Sequence, residues 1–321
     1  MRIFHAVLLL FSLSLAAAPA GARDMLAREV VFGGLAGTFV TPASPGEHKT
    51  VVMVAGSGPT DRNGNSKLGV DADYLEMLAD AFAGKGIASL RYDKRGVGGS
   101  KALVTAEADL RFSDFVGDAT TWAEWARAHD GVSCVFMLGH SEGGLIATIV
   151  ADRKDIAGLV LLSSPGRPLG AVLHDQLSRP AFPSDLRETA LTTLRSLEEG
   201  NRVADVTPKL TNLFRPSVQP FLISLLNVDP AAELEKYNGP VLIVSGGQDL
   251  QVSKRDFALL RKADPDATTV RIAKMNHVLK DIDGDRAANL ASYRNPNLPL
   301  AAGLVPAVTG FISDTDCPNK G

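Results

Sequence analysis

Six short apolar runs, most of them rich in β-branched side chains, constrain this chain more than any other feature. They span Thr50 to Ala55 (TVVMVA), Ile87 to Tyr92, Val132 to Leu138, Ile156 to Leu162, Val241 to Ser245 (VLIVS) and Thr268 to Ile272. Runs of this length and composition are the pattern of strands buried on both faces. Between them lie helical stretches over Tyr74 to Ala83, Phe112 to His129, Glu142 to Ala151 and Lys254 to Lys262. In the first, Leu75, Leu78, Ala79 and Phe82 share one face and Gly84 ends it. Two shorter strands, Arg28 to Phe32 and Gly37 to Val40, precede them across a Gly33-Gly34 turn, and a closing helix is expected from Pro299 to Ile312. Strand–helix alternation of this kind predicts a mostly parallel, doubly wound α/β sheet with helices on both faces.

The alternation breaks once. From about Gly166 to Pro230 no strand candidate occurs, only helical patterns near Leu169 to Leu177, Pro183 to Glu199 and Val218 to Leu226, separated by prolines. This predicts a helical insertion over one end of the sheet. Leu169, Leu173, Leu177, Phe182, Leu191, Leu194, Phe214, Phe221 and Leu222 give it apolar surface; most should pack the insertion and a few should line a pocket mouth.

Before the first strand, Met1 to His5 carry one arginine, Ala6 to Ala18 are apolar, and Ala18-Pro19-Ala20 and Ala20-Gly21-Ala22 each fit a small-x-small cleavage site. That pattern predicts a secretory signal peptide over 1–22 and an exported, periplasmic or secreted protein. The run is short of the ~20 residues a membrane span needs, so no stable membrane insertion is expected. The expected division is therefore 1–22 signal peptide, 23–165 first part of the core, 166–230 insertion and 231–321 second part of the core. A net charge of −3 offers no basic field for nucleic acid. Export permits a disulfide between the two cysteines. Cys134 starts a buried strand and Cys317 lies in a polar tail; sequence does not set the geometry a bridge requires, so the pairing is left open, with the unpaired state favoured.

The chemistry centres on Gly139-His140-Ser141-Glu142-Gly143, a G-x-S-x-G between a predicted strand and a predicted helix. A sharp strand-to-helix turn would hold Ser141 in a strained conformation, and glycine is needed where bulkier residues would meet backbone. A serine hydroxyl becomes a nucleophile when a base takes its proton and a third group orients that base. Six histidines are available: His5 falls in the signal peptide, His48 in a loop, His129 at a helix end, His140 in the turn itself and His174 in the insertion. His277, in KMNHVLK at the C-terminal end of the last strand, is where a doubly wound fold places its site. For the acid, Asp249 in SGGQDLQV follows a strand through a glycine turn; Asp256, Asp264 and Asp266 compete but lie in a helix or at the wrong strand end.

The order serine, acid, histidine on an alternating chain resembles the α/β-hydrolase superfamily across essentially the whole mature chain, closest to its esterase and serine-aminopeptidase-like branch. GHSEGG, GGQD and NHVLK correspond to the nucleophile elbow, acid turn and histidine loop. The resemblance implies an eight-stranded sheet, a lid inserted after the sixth strand, and hydrolysis through an acyl-enzyme. It also implies an oxyanion hole from the N–H of Glu142 and that of Ser57 or Gly58 in the loop after the third strand. The loop from Asp93 to Ser100 matches a D-x-R-G-x-G-x-S element with a structural role, and Asp61 and Arg62 are read as structural as well. No cofactor or metal is expected, since the histidines are scattered and no H-E-x-x-H occurs. The expected substrate is a small-molecule carboxylic ester. Amide, peptide, thioester or lactone hydrolysis, or a ligand-binding protein without chemistry, are the alternatives.

Overall fold

The computed structural model describes residues 25–318; the expected signal peptide lies outside them. An eight-stranded sheet runs through the molecule in the order β1-β2-β4-β3-β5-β6-β7-β8. Its strands are β1 (Met25–Phe32), β2 (Leu35–Pro42), β3 (His48–Val54), β4 (Ala88–Tyr92), β5 (Val132–His140), β6 (Gly158–Leu162), β7 (Val241–Gly246) and β8 (Thr268–Ile272). β2 pairs antiparallel with both β1 and β4, and every other pairing is parallel. The two N-terminal strands are longer than their apolar residues suggested. β1 is an edge strand with mostly exposed side chains, so burial leaves little mark on its sequence.

The helices are α1 (Tyr74–Ala83), α2 (Phe112–Ala128), α3 (Glu142–Arg153), α4 (Leu169–Ser178), α5 (Ser184–Glu198), α6 (Thr211–Phe214), α7 (Gln219–Leu225), α8 (Pro230–Leu234), α9 (Lys254–Ala263), α10 (Arg286–Ser292) and α11 (Leu304–Asp314). Successive strand residues point to opposite faces, so each central strand feeds two cores. Val135 and Met137 of β5 join the core with α2 and α3, built around Trp122, Val116 and Ile146. Phe136 and Leu138 join the core with α1 and α11, built around Leu78, Phe82, Leu304 and Ile312. This is why the apolar runs are unbroken rather than alternating.

Helices α4 to α7 fall between β6 and β7 and carry a third apolar cluster that includes Leu173, Leu177, Leu194, Phe214 and Leu222. Residues 93–100 form the brace anticipated for them. Asp93 accepts from the N–H of Arg62 and of Gly99, while the Ser100 hydroxyl donates to the Asp93 carbonyl and accepts from the Ala36 N–H. Arg62 bridges Asp93 and Glu29, and Asp61 closes a turn by accepting from the N–H groups of Asn63 and Asn65.

One expectation is corrected. Cys134 and Cys317 form a disulfide, with Cα atoms 5.6 Å apart. Sequence separation hid the contact, because what brings the tail to β5 is tertiary. Lys49, at the start of β3, donates through Nζ to the carbonyls of Ile312, Ser313 and Thr315 at 2.7–2.9 Å, at the end of α11 where a cation is favoured. Among the described residues no helix is long and apolar enough to cross a membrane.

Candidate active site

Ser141 sits between β5 and α3 with φ 54° and ψ −125°, a conformation that non-glycine residues rarely adopt. The flanking glycines are explained by what a side chain would strike. A Cβ on Gly139 would stand 2.1 Å from the Gly143 carbonyl oxygen, and one on Gly143 would stand 2.3 Å from the carbonyl oxygen of Val54. Neither backbone can yield without moving β3 or α3. Those glycines are therefore requirements of the turn that presents Ser141. Its N–H is tied to the Leu162 carbonyl of β6 at 3.0 Å, and Glu142 opens α3 immediately after it.

Asp249 and His277 meet as expected: Nδ1 of His277 lies 2.9 Å from Oδ2 of Asp249, and both side chains are buried. The other Asp249 oxygen accepts the N–H groups of Gln251 and Val252, which fixes the carboxylate in its turn. Burial works against the Asp249 carboxylate, but the His277 imidazole and those two N–H groups outweigh it and hold its pKa below the ordinary value. Two glycines let this turn approach the histidine loop. A Cβ on Gly246 would stand 2.2 Å from the Met275 carbonyl oxygen, and one on Gly247 would stand 2.1 Å from that of Ala273. The rival Asp256 is engaged elsewhere, capping α9 and pairing with Arg167.

The histidine loop reaches the elbow through His140, the residue before Ser141. Its ring lies 4.8 Å from the His277 ring, and its Nε2 donates to the His277 carbonyl at 2.7 Å. A carbonyl only accepts, so Nε2 carries the proton and Nδ1 accepts from the Tyr74 hydroxyl at 3.1 Å. Burial, reinforced by the neighbouring His277, lowers the His140 pKa to about 3. His140 is thus a neutral strut beneath His277, a role its place inside the motif did not reveal.

A second support went unseen in the sequence. Asn276 donates through Nδ2 to Asn289 Oδ1 (3.1 Å) and Ser292 Oγ (2.7 Å), and its Oδ1 accepts from the Lys280 N–H (3.0 Å). Asn289 in turn donates to the Gln248 carbonyl at 2.7 Å. Helix α10 therefore clamps the residue before His277 to the residue before Asp249. Asn276, Asn289 and Ser292 are all buried; the only signal available to sequence was an unusual run of amides and serines near the histidine.

Ser141 opens on a cavity of about 310 Å³. Its lining includes Ser57, Gly58, Pro59 and Leu68 from the loop after β3, and Leu169, Leu173, Phe221 and Leu222 from the insertion. Glu142 is the one carboxylate on the wall, and it interacts with the Ser57 side chain and the Lys94 ammonium. Burial raises the Glu142 pKa and lowers that of Lys94, each resisted by the charge of the other. Lys94 is also tied to the Gly56 carbonyl, so this buried pair grips the loop carrying Ser57 and Gly58. The two arginines on the wall are answered in kind, Arg167 by Asp256 and Asp175, Arg215 by Glu107. Chemically, the arrangement offers a strained hydroxyl, an imidazole backed by a carboxylate, and an apolar recess. No group of three or more potential metal ligands occurs among the described residues.

Comparisons with known proteins give the family and the fold. Residues 68–281 match the family model described as serine aminopeptidase, S33. Esterase EstD of Thermotoga maritima is 28 % identical over 272 residues, 83 % of this chain but 62 % of that protein, so the chain spans less than two thirds of its relative's length. Among solved structures, Est1E from Butyrivibrio proteoclasticus with bound ferulic acid aligns at 19 % identity and TM-score 0.54, covering 83 % of this chain and 96 % of that one. The proline iminopeptidase of Mycobacterium smegmatis aligns at 18 % identity and TM-score 0.56, covering 90 % and 98 %. At such identities the solved structures speak for the fold alone. With the eight-stranded sheet and the glycine-bracketed elbow, the family match places the chain: it belongs to the serine aminopeptidase S33 family of α/β hydrolases.

Proposed function

We propose that this protein is an exported serine hydrolase that cleaves carboxylic esters. The observation that carries the reading is the buried Asp249–His277 pair, joined through His140 to the strained Ser141 at the floor of an apolar cavity. His277 Nε2 takes the Ser141 proton as Oγ attacks the carbonyl carbon, and the negative charge passes to the carbonyl oxygen. The N–H of Glu142 and that of Ser57 or Gly58 receive that oxyanion, aided by the N-terminus of α3. Collapse expels the alcohol, protonated by His277. Water then attacks the acyl-enzyme by the same route and leaves a carboxylic acid.

An ester is favoured over a peptide N-terminus by the charge of the cavity. Glu142 is its sole carboxylate and faces Lys94, so the lining residues offer no uncommitted anion to a substrate ammonium. Paired arginines likewise leave no unspent cation for a charged acyl group. Export is supported by the leader-like N-terminus and by the disulfide, which persists in oxidising compartments. The test is turnover of p-nitrophenyl esters of increasing acyl length by the mature protein beside Ser141→Ala. We expect an optimum at one chain length and a loss of about 10,000-fold or more in kcat for the variant. Turnover that survives in Ser141→Ala would remove Ser141 from the mechanism.

A further inference from the structure

Leu68 is 80 % exposed, yet it stands in the wall of the cavity. Isolated exposed leucines need no explanation; one fixed at the rim of a reactive pocket is a different matter. The turn that presents it is closely held. Ser66 and Val70 exchange backbone hydrogen bonds across it at 2.8 and 3.0 Å, and Asn65 accepts the N–H groups of Ala72 and Asp73. At Gly69 φ is 113°, a value that favours glycine, and a Cβ there would stand 3.1 Å from the Arg294 guanidinium. The loop spends this much order on holding an apolar side chain in water.

Its position relative to the reacting atoms follows from its neighbours. The Asp71 N–H bonds to the Tyr293 carbonyl at 2.7 Å, and the Tyr293 hydroxyl accepts from Gln251, whose own N–H is held by Asp249. The Leu68 turn is therefore moored to the Asp249–His277 side of the cavity. The insertion contributes Leu169, Val172, Leu173, Leu213, Phe221 and Leu222 to the same cavity. In ester cleavage the leaving oxygen must take its proton from His277, so the alcohol departs on the histidine side and the acyl group occupies the other.

Resting on the esterase reading above, we propose that Leu68 forms the leaving-group subsite, and that the substrates are esters whose alcohol carries an apolar alkyl or aryl group. Binding then covers the exposed leucine and the apolar alcohol together, and each loses its contact with water.

The test uses the mature protein, butyrate esters of methanol, hexanol and benzyl alcohol, and methyl esters of increasing acyl length. Wild type is expected to prefer the hexyl and benzyl esters. Leu68→Ser should lower kcat/KM for those two about ten-fold relative to methyl butyrate, mainly through KM, without moving the acyl-length optimum, and keep the melting temperature. Leu68→Phe should retain the preference. A Leu68→Ser enzyme with the wild-type alcohol preference, or one in which the acyl-length optimum moves instead, overturns the subsite. Wild type that turns over none of these esters and leaves Ser141 unlabelled by a fluorophosphonate overturns the esterase reading as well, so the two failures are told apart.

Discussion

His140 carries its hydrogen-bond load in a single protonation state. Donating to the His277 carbonyl and accepting from Tyr74 requires the neutral ring, and burial keeps it neutral down to a pKa of about 3, against 6.5 when free. Between those values the unfolded chain binds a proton that the folded one refuses, so stability rises with pH across that window and is flat above it. The slope from this one group approaches about 1.4 kcal/mol per pH unit. Asp249 adds a slope of the same sign only as pH falls below its ordinary 3.8. Denaturant unfolding at intervals from pH 4 to 7 should therefore show His140→Gln with a shallower pH dependence than wild type, whatever its stability at neutral pH. Identical slopes would mean that the ring is not held neutral. At this scale Ser141 and Asp249 were legible as candidates because each follows a strand beside glycines that its turn requires, and His277 because it follows the last strand. It was silent on His140 and Tyr74, whose partnership spans 66 residues and has no local signature.

The clamp made by α10 shows where element-level reading stops. The seven residues RAANLAS lack an apolar stripe, and a helix so short owes its existence to tertiary contacts rather than to propensity. Asn289 and Ser292 look like surface residues in sequence and are buried in the fold. By contrast, α1, α2 and α9 announced themselves through periodic apolar residues and clear boundaries. The inner strands did so through runs that face two cores at once. Removing the clamp's amide should misalign the histidine and acid loops without touching the cavity. In Asn289→Ala the Gln248 carbonyl and the Asn276 amide lose a partner inside the protein, at a cost of about 1–3 kcal/mol. We expect kcat to fall about ten-fold while KM stays put, the division that marks a loss confined to the transition state. Arg286→Ala, on the exposed side of the same helix, serves as the control. If the two variants share the same kcat, α10 merely fills space.

Across the whole molecule, the insertion and the disulfide do separate jobs. Of the nine apolar insertion residues singled out in the sequence, Leu169, Leu173, Phe221 and Leu222 reach the cavity, and the others serve the insertion's own cluster. The disulfide closes a loop of 183 residues, which in the chain-entropy model is worth close to 5 kcal/mol. Cys317→Ser, or reduction, should lower the melting temperature by on the order of 10 °C and leave kcat and KM at 25 °C as they were. A matching loss of kcat would show that the tail does more than stabilise.

That separation has a geometric origin. Strand β5 holds Cys134 near its beginning and delivers Ser141 just past its end, roughly 23 Å away at about 3.3 Å per residue. One end of the strand is covalently anchored and the other presents the proposed nucleophile, with the buried residues Val135 to Leu138 between them. A copy folded in a reducing cytosol and one matured outside the cell would then be the same catalyst with different lifespans. The oxidised copy would hold its C-terminal tail against proteases, and the reduced copy would fray there first while still turning over substrate.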